Sequence, residues 1–210
     1  MTFSNDRSRI EESDHQVQQP RKALIVVDVQ NDFCPGGALA VGKGDEVVAP
    51  LNKMITYAEE HDWVVVVSRD WHPSNSKHFQ KWPPHCIQNT PGARFHHQLD
   101  YHGAEVISKA MGDNEDGYSA FDGFTRDGQG MSLEEFLSEN DVSEVYVGGL
   151  ATDYCVKATA IDSVYRGFRT HLLIDACRAV DAKDGDGERA INEMKSEGID
   201  LMTTEEVLRG

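Results

Sequence analysis

At 210 residues the chain is long enough for one sizeable domain. Its first residues lack the apolar core of a secretory signal, and no apolar run approaches the ~20 residues of a membrane span. The sequence therefore predicts a cytoplasmic protein. Its formal net charge of -16 at pH 7 argues against nucleic acid and membranes as partners and favours a small substrate that is not highly anionic. The four cysteines contain no CxxC pair, which in a reducing compartment predicts free thiols: Cys34, Cys86, Cys155 and Cys177.

The chain divides into a polar start and a long alternation of strand and helix patterns. Residues 1–21 are rich in Gln, Ser and Asp, and we expect a disordered extension because they cannot bury enough apolar area to become ordered. Residues 22–210 are predicted to form a single α/β domain. Short apolar runs rich in β-branched residues predict strands at 23–29, 63–67, 105–107, 144–147 and 171–174. Helical spacing of apolar residues predicts helices at 47–58, 132–137, 156–168 and 188–197.

Strands that alternate with helices require crossover connections, so the pattern predicts a three-layer α/β/α domain with a mainly parallel sheet. Ligands of such sheets bind at the carboxyl ends of the strands. The long connection 71–103 has little periodicity and many His, Pro and Trp residues, which is typical of a functional loop. The residues that follow the predicted strands are Asp28, Asp70 with His72, Lys109 and the segment 148–155.

Cys155 is the candidate nucleophile. It lies where the fourth predicted strand gives way to a helix, with Thr152 or Asp153 as the expected N-cap, so its thiol falls in the first helical turn. The N–H groups and the dipole of that turn favour the thiolate and can receive an oxyanion. The alternative is a buried, inert cysteine that fills space beside the glycines.

A nucleophilic cysteine needs a base and a group that balances charge. No histidine lies at a strand end beside Cys155. Asp28 follows four apolar residues and is followed by Val29, so partial desolvation is expected to raise its pKa. Lys109 ends another strand and can hold the carboxylate and steady developing negative charge. A turn or capping role for Asp28 and a solvated position for Lys109 are the alternatives, but the three strand ends together favour a catalytic cluster.

A metal site is predicted beside this cluster. Asp70 and His72 are two residues apart, which puts both side chains on one side of an extended segment. A carboxylate with imidazoles suits zinc, iron or manganese, and two prolines present His85 stiffly as a third ligand. His78 is interpreted as a fourth ligand or an outer partner, and Cys86 is left out because adjacent residues usually point apart. Five other histidines are interpreted as exposed or structural: His61, His96, His97, His102 and His171.

Two aromatic residues, Phe33 and Trp82, lie beside the candidate segments, where they can stack on a flat ring, with ordinary core packing as the alternative. Two other patterns are interpreted as turns. The glycines at 42–44 lack a phosphate-loop fingerprint, and the acidic stretch 184–187 lacks the rest of a calcium loop.

Seven motifs follow one another along nearly the whole chain from Lys22 onward: DVQNDFCPGGAL from Asp28, SRDWHP around Asp70, HF at His78, WPPHC from Trp82, the lysine at 109, YSAF from Tyr118 and GLATDYCV from Gly148. In this order they resemble the motifs of the nicotinamidase/pyrazinamidase branch of the isochorismatase-like cysteine hydrolases. Ala110 and Ala120 stand where many relatives have glycine, and both are small enough to change the pocket little.

The resemblance implies a site in which a cysteine triad stands beside one divalent ion, zinc before iron or manganese. The implied triad is Asp28, Lys109 and Cys155, and the implied metal ligands are Asp70, His72 and His85, with His78 close by. It also implies a cis peptide between Leu150 and Ala151 and an oxyanion hole formed by the N–H groups of Ala151 and Cys155. The implied substrate-binding residues are Phe33, Trp82, Leu150 and Tyr118.

The implied activity is hydrolysis of nicotinamide, and also of pyrazinamide, to the acid and ammonia through a thioester on Cys155, in NAD salvage. The nearest rival within the fold is an isochorismatase or a ureido-acid or carbamoyl amidohydrolase, which does not need this metal site. A binding module without catalysis is the rival from another class. The sequence leaves open a homo-oligomer, and it leaves open whether the acidic surface is an adaptation to high salt or that of an ordinary acidic enzyme.

Overall fold

The structure is a computed structural model that describes residues 21–210. Within them, six strands form one sheet: β1 (Arg21–Val27), β2 (Val64–Asp70), β3 (Glu105–Lys109), β4 (Val142–Leu150), β5 (Arg169–Arg178) and β6 (Asp200–Met202). Their order across the sheet is β3-β2-β1-β4-β5-β6, and every neighbouring pair is parallel. All carboxyl ends of the strands therefore lie at the same edge.

Helices cover both faces of the sheet. Over residues 21–210 the α-helices are α1 (Val48–Glu60), α2 (Leu133–Glu139), α3 (Lys157–Tyr165), α4 (Asp186–Ser196) and α5 (Thr204–Arg209). Capping boxes open α2 at Ser132 and α5 at Thr203, where the hydroxyl accepts a backbone N–H and a glutamate accepts the N–H of the cap residue. No helix in this part of the chain combines the length and the apolar character needed to cross a membrane.

The central strand β1 is buried on both faces, which explains its unbroken apolar sequence. Leu24 and Val26 pack into the core cluster that includes residues of α1 and α5. Ala23, Ile25 and Val27 pack on the opposite face, with residues of α2, α3 and α4. The alternation of side chains along one strand thus joins the two outer layers to the sheet.

The predicted three-layer fold with a parallel sheet is confirmed, and the first five strands lie at the predicted places. β1 begins at Arg21, one residue before the predicted start of the domain, and ends before Asp28, which has a left-handed φ of 50°. Residues 1–20, the rest of the predicted disordered extension, lie outside the described residues. β6 and α5 are missing from the prediction, because elements of 3 and 6 residues are too short to show a periodicity.

The segment after β4 differs from the prediction at its start. One π-helical turn (Thr152–Val156) precedes α3, and Cys155 lies in this turn, as expected. The predicted N-cap is wrong, because the position belongs to Ala151 rather than to Thr152 or Asp153. The carboxylate of Asp153 instead accepts two backbone N–H groups of the segment after β5, at 2.9 and 3.0 Å. The two turn predictions are confirmed in part: residues 42–43 form a turn before a 3-10 helix that begins at Gly44, and residues 184–185 form a turn before α4 begins at Asp186.

Candidate active site

Four strand ends bring together an ammonium group, two carboxylates and a thiol. Lys109, the last residue of β3, has its Nζ 2.8 Å from Oδ2 of Asp28, which follows β1. The same Nζ lies 3.6 Å from Sγ of Cys155 and is hydrogen-bonded to Asp70, the last residue of β2. None of the four residues is more than 8% exposed. The residues predicted as a triad therefore form a buried set of contacts.

Two side chains that the sequence analysis misses hold these carboxylates in place. Ser68 in β2 donates a hydrogen bond to Oδ1 of Asp28 at 2.7 Å, so Oδ2 is the oxygen that meets Lys109. Gln30 donates from Nε2 to the carbonyl of Asp70 and accepts the N–H of Asp70 at Oε1, both at 2.8 Å. Both residues are fully buried. A polar residue inside or just after an apolar strand is the sequence signal that would have found them.

Burial and charge set the protonation of this cluster. Burial raises the pKa of the Asp28 carboxyl, as predicted, although Lys109 opposes the effect. Burial also raises the pKa of the Cys155 thiol well above its usual value, with Lys109 offsetting part of the effect. Burial disfavours a charged Lys109, but Asp28 and Asp70 raise its pKa well above the usual value. In the resting site, burial therefore outweighs the expected effect of the helical turn, and the sulfur keeps its proton until a base takes it.

Three buried imidazoles lie next to Asp70. His72, His78 and His85 each present a ring nitrogen, and these nitrogens lie within 4.8 Å of one another. Oδ2 of Asp70 lies 3.7 Å from Nε2 of His72 and 3.9 Å from Nε2 of His85. The structure thus brings together the residues predicted as metal ligands and places His78 with them.

This donor set fits a divalent metal ion. Both ring nitrogens of His72 are buried and have no hydrogen-bond partner among residues 21–210, a costly state that coordination of one nitrogen would relieve. His85 donates its Nδ1–H to the carbonyl of Pro83 at 2.7 Å, which leaves Nε2 for coordination. Burial lowers the pKa of His85 and keeps its imidazole neutral. Neutral imidazoles with one carboxylate suit zinc, iron and manganese.

Asp32, which the sequence analysis does not single out, joins the two loops beside this cluster. Its carboxylate accepts the N–H of Cys86 at 2.7 Å and the N–H of Ala38 at 3.2 Å. The N–H of His72 is donated to the carbonyl of Cys86 at 3.0 Å. These bonds hold the loop that carries His85 against the end of β2. Within residues 21–210, Cys86 does not join the three imidazoles in a cluster of possible metal ligands.

A pocket lined mainly by apolar and aromatic side chains opens over Cys155, His78 and His85. Trp82 donates its Nε1–H to the hydroxyl of Tyr118 at 3.1 Å. Tyr154, which the sequence analysis misses despite its place beside the nucleophile, stands edge-on to Trp82 with ring centroids 5.2 Å apart. All four residues implied for substrate binding line the pocket: Phe33, Trp82, Tyr118 and Leu150.

The peptide bond between Leu150 and Ala151 is cis, as the resemblance implies. Ala151 and Cys155 both line the pocket, and their N–H groups remain the predicted oxyanion hole. Asp153 ties the nucleophile turn to Val180, which is a further wall residue.

Comparison with known proteins places this site in a family. A family model described as the isochorismatase domain matches residues 22–206. The chain belongs to the isochorismatase family. Within this family, the nicotinamidase of Escherichia coli (strain K12) is 38% identical over 205 residues, which span 88% of this chain and 95% of that enzyme.

Solved structures of the isochorismatase family share the architecture over almost their whole length. The crystal structure of the pyrazinamidase of Pyrococcus horikoshii in complex with zinc has a TM-score of 0.79 and 44% identity, and the match covers 88% of this chain and 99% of that one. The yeast nicotinamidase bound to the inhibitor nicotinaldehyde has a TM-score of 0.77 and 29% identity, and the match covers 87% and 99% of the two chains.

Proposed function

We propose that this isochorismatase-family chain is a nicotinamidase that hydrolyses nicotinamide to nicotinate and ammonia, accepts pyrazinamide, and serves NAD salvage. The observation that carries the proposal is the contact of Lys109 with Asp28 and Cys155 next to three imidazoles and an aromatic pocket. The likeness to a nicotinamidase and to a zinc-bound pyrazinamidase supports the choice of substrate.

Asp28 is the proposed base. It takes the proton of the Cys155 thiol, and Sγ then attacks the carboxamide carbon of the substrate. Lys109 stabilises the thiolate as it forms, since its charge is already held 3.6 Å from the sulfur. The N–H groups of Ala151 and Cys155 receive the oxyanion of the tetrahedral intermediate.

The same aspartate serves the second half of the reaction. Asp28 returns the proton to the amide nitrogen, the C–N bond breaks, and ammonia leaves a thioester on Cys155. Asp28 next takes a proton from water as the oxygen attacks the thioester carbonyl. The C–S bond then breaks, the thiolate regains the proton from Asp28, and the acid departs and loses its remaining proton to water as nicotinate.

Three residues would hold one divalent ion, zinc in this proposal: Asp70, His72 and His85, with His78 beside them. When bound, the ion supplies Lewis-acid polarisation that makes the amide carbon more electrophilic. Phe33 and Trp82 flank the flat ring, while Tyr118 and Leu150 complete the wall.

Replacing Cys155 by alanine tests the proposal. Cys155→Ala is expected to lower ammonia release from nicotinamide by several orders of magnitude, because no other group can form the thioester. Its zinc content by elemental analysis and its affinity for nicotinamide by calorimetry should stay unchanged. Cys34→Ala is the matched control, since Cys34 lines a different groove and should keep full activity. Substantial amidase activity in Cys155→Ala would contradict the assignment.

A comparison of substrates separates the proposal from its nearest rival. Ammonia release from nicotinamide and pyrazinamide is measured beside release from ureido and carbamoyl compounds. A preference for the two ring carboxamides supports the nicotinamidase, whereas a preference for the carbamoyl compounds would assign the chain to the other amidohydrolases of this fold.

A further inference from the structure

Asp116 lies at the edge of the imidazole cluster, and the proposed mechanism gives it no role. Its Oδ1 lies 2.9 Å from Nδ1 of His78. We propose that Asp116 is a positioning residue: it holds the ring of His78, interpreted above as a fourth ligand or an outer partner, so that Nε2 faces the metal ion. This inference rests on the metal site of the function proposed above.

The contact decides which nitrogen of His78 is left to bind an ion. A carboxylate accepts hydrogen bonds, so Nδ1 carries the hydrogen and Nε2 keeps its lone pair. His78 is 5% exposed, and its ring stacks on that of His72 with centroids 4.7 Å apart and an interplanar angle of 13°. One of its ring nitrogens lies within 4.8 Å of ring nitrogens of His72 and His85. His78 is therefore close enough to complete the set of ligands.

His85 shows the same arrangement with a different partner. Its Nδ1–H is donated to a carbonyl of its own loop, that of Pro83, at 2.7 Å. His78 instead depends on a carboxylate 38 positions further along the chain, beyond β3. Metal-binding histidines commonly donate their second N–H to such a group, and its loss typically weakens metal binding about 10- to 100-fold.

The segment that contains Asp116 also makes other contacts with the loop of His78. A test of Asp116 must therefore distinguish the positioning of His78 from a general contribution to the packing of these two segments. Oδ2 of Asp116 lies 2.5 Å from Nζ of Lys81, and Asp113 accepts a hydrogen bond from Asn75 at 3.2 Å. Lys81 is 60% exposed, so solvent screens its ion pair. Asp113→Ala and Lys81→Met each remove a contact between the two segments and leave the imidazole untouched. They are the matched controls.

The test measures the zinc affinity of the purified full chain by competition with a chelator. Asp116→Ala is expected to weaken zinc binding by about 10- to 100-fold, whereas Asp113→Ala and Lys81→Met should leave it unchanged. Adding Asp116→Ala to His78→Ala should cost nothing further, because a positioning residue acts only through the ligand that it holds. The visible spectrum of the cobalt-loaded protein is a second readout, in which Asp116→Ala should match His78→Ala.

Wild-type zinc affinity in Asp116→Ala would overturn the inference. So would a result in which Asp116→Ala lowers the zinc affinity of the His78→Ala protein as much as it lowers that of the wild type. His85→Ala separates this failure from that of the proposed function. If His85→Ala also binds zinc like the wild type, the metal site itself is wrong; if only Asp116→Ala does, the failure concerns Asp116 alone. Should thermal melting show that Asp116→Ala is unfolded, Asp116→Leu fills the space without an acceptor and is held to the same outcomes.

Discussion

Lys109 uses its N–H bonds entirely inside the protein. Nζ donates to the carbonyl of Gly117 at 2.7 Å and contacts the carboxylates of Asp28 and Asp70. A lysine ammonium has three donors, and its hydrogen-bond partners are Asp70, the carbonyl of Gly117 and Sγ of Cys155, while Oδ2 of Asp28 pairs with the charge at 2.8 Å. The sulfur of Cys155, 3.6 Å away, therefore faces a positive charge that is already in place before the thiol loses its proton.

Replacing Lys109 by methionine keeps most of the side-chain volume and removes the charge. Asp28 and Asp70 would then be buried without a counter-ion, which is expected to lower the free energy of unfolding by about 3 to 5 kcal/mol. Urea denaturation of the metal-free protein, followed by circular dichroism, measures the loss. Lys43→Met is the control, because this exposed side chain should change stability by no more than about 0.5 kcal/mol. Equal stability of Lys109→Met and the wild type would contradict the charged state assigned to Lys109.

The sequence is sufficient to find Asp28, Lys109 and Cys155 because one rule applies to all of them: parallel strands end at the same edge of a sheet. The same rule does not predict the contact of Ser68 with Asp28. The two residues meet only because β1 and β2 are aligned in one register, and that register depends on packing. Asp116 lies in a segment without periodicity and reaches an imidazole 38 positions away. Spacing along the chain contains no information about a contact of that kind.

At the scale of the elements, β4 delivers the nucleophile turn, and it passes β1 closely at Gly149. The φ of Gly149 is +130°, and a Cβ at this position would lie 2.1 Å from the carbonyl oxygen of Val27. The register of β4 against β5 shifts between Val147 and Gly149. Such an irregularity redirects a strand, and here it does so just before the turn that holds Cys155.

Gly149→Ala is expected to lower the free energy of unfolding by about 2 to 4 kcal/mol, because the methyl group would overlap the backbone of β1 and the φ would be strained. Ammonia release should also fall, since any shift of β4 moves the sulfur relative to Lys109. Thermal melting and the ammonia assay measure the two effects. Gly42→Ala serves for comparison, as a Cβ there meets nothing within 4 Å and both quantities should stay near wild type.

The predictions of helices and strands succeed where the sequence pattern is long. They fail where the pattern is short, or where two kinds of helix begin with the same pattern. The 13 residues of α1 repeat apolar positions often enough to define a helix, whereas the 3 residues of β6 repeat nothing. The turn at Thr152–Val156 is π-helical, and the start of a π-helical turn has no sequence signal that distinguishes it from an α-helix. Asp153 is a good N-cap by type, but a tertiary contact with the segment after β5 uses its carboxylate.

At the scale of the whole molecule, the chain has 36 acidic and 20 basic residues, which gives the formal net charge of -16. Like charges repel and disfavour the compact state. Salt weakens this repulsion, because the Debye length falls from about 10 Å at 0.1 M to about 3 Å at 1 M. The stability of the protein should therefore depend on ionic strength more than that of a neutral domain.

Raising KCl from about 0.1 to about 1 M is expected to raise the melting temperature by about 5 °C, which corresponds to roughly 1 to 2 kcal/mol for a domain of this size. Chloride is chosen over sulfate because sulfate strengthens apolar burial by itself. A variant with Glu59→Gln, Glu60→Gln and Glu139→Gln, all at exposed positions, should melt higher at low salt and gain less from KCl. If the melting temperature is flat in both proteins, the acidic residues lie too far apart to repel, and the surface is that of an ordinary acidic enzyme rather than one adapted to salt.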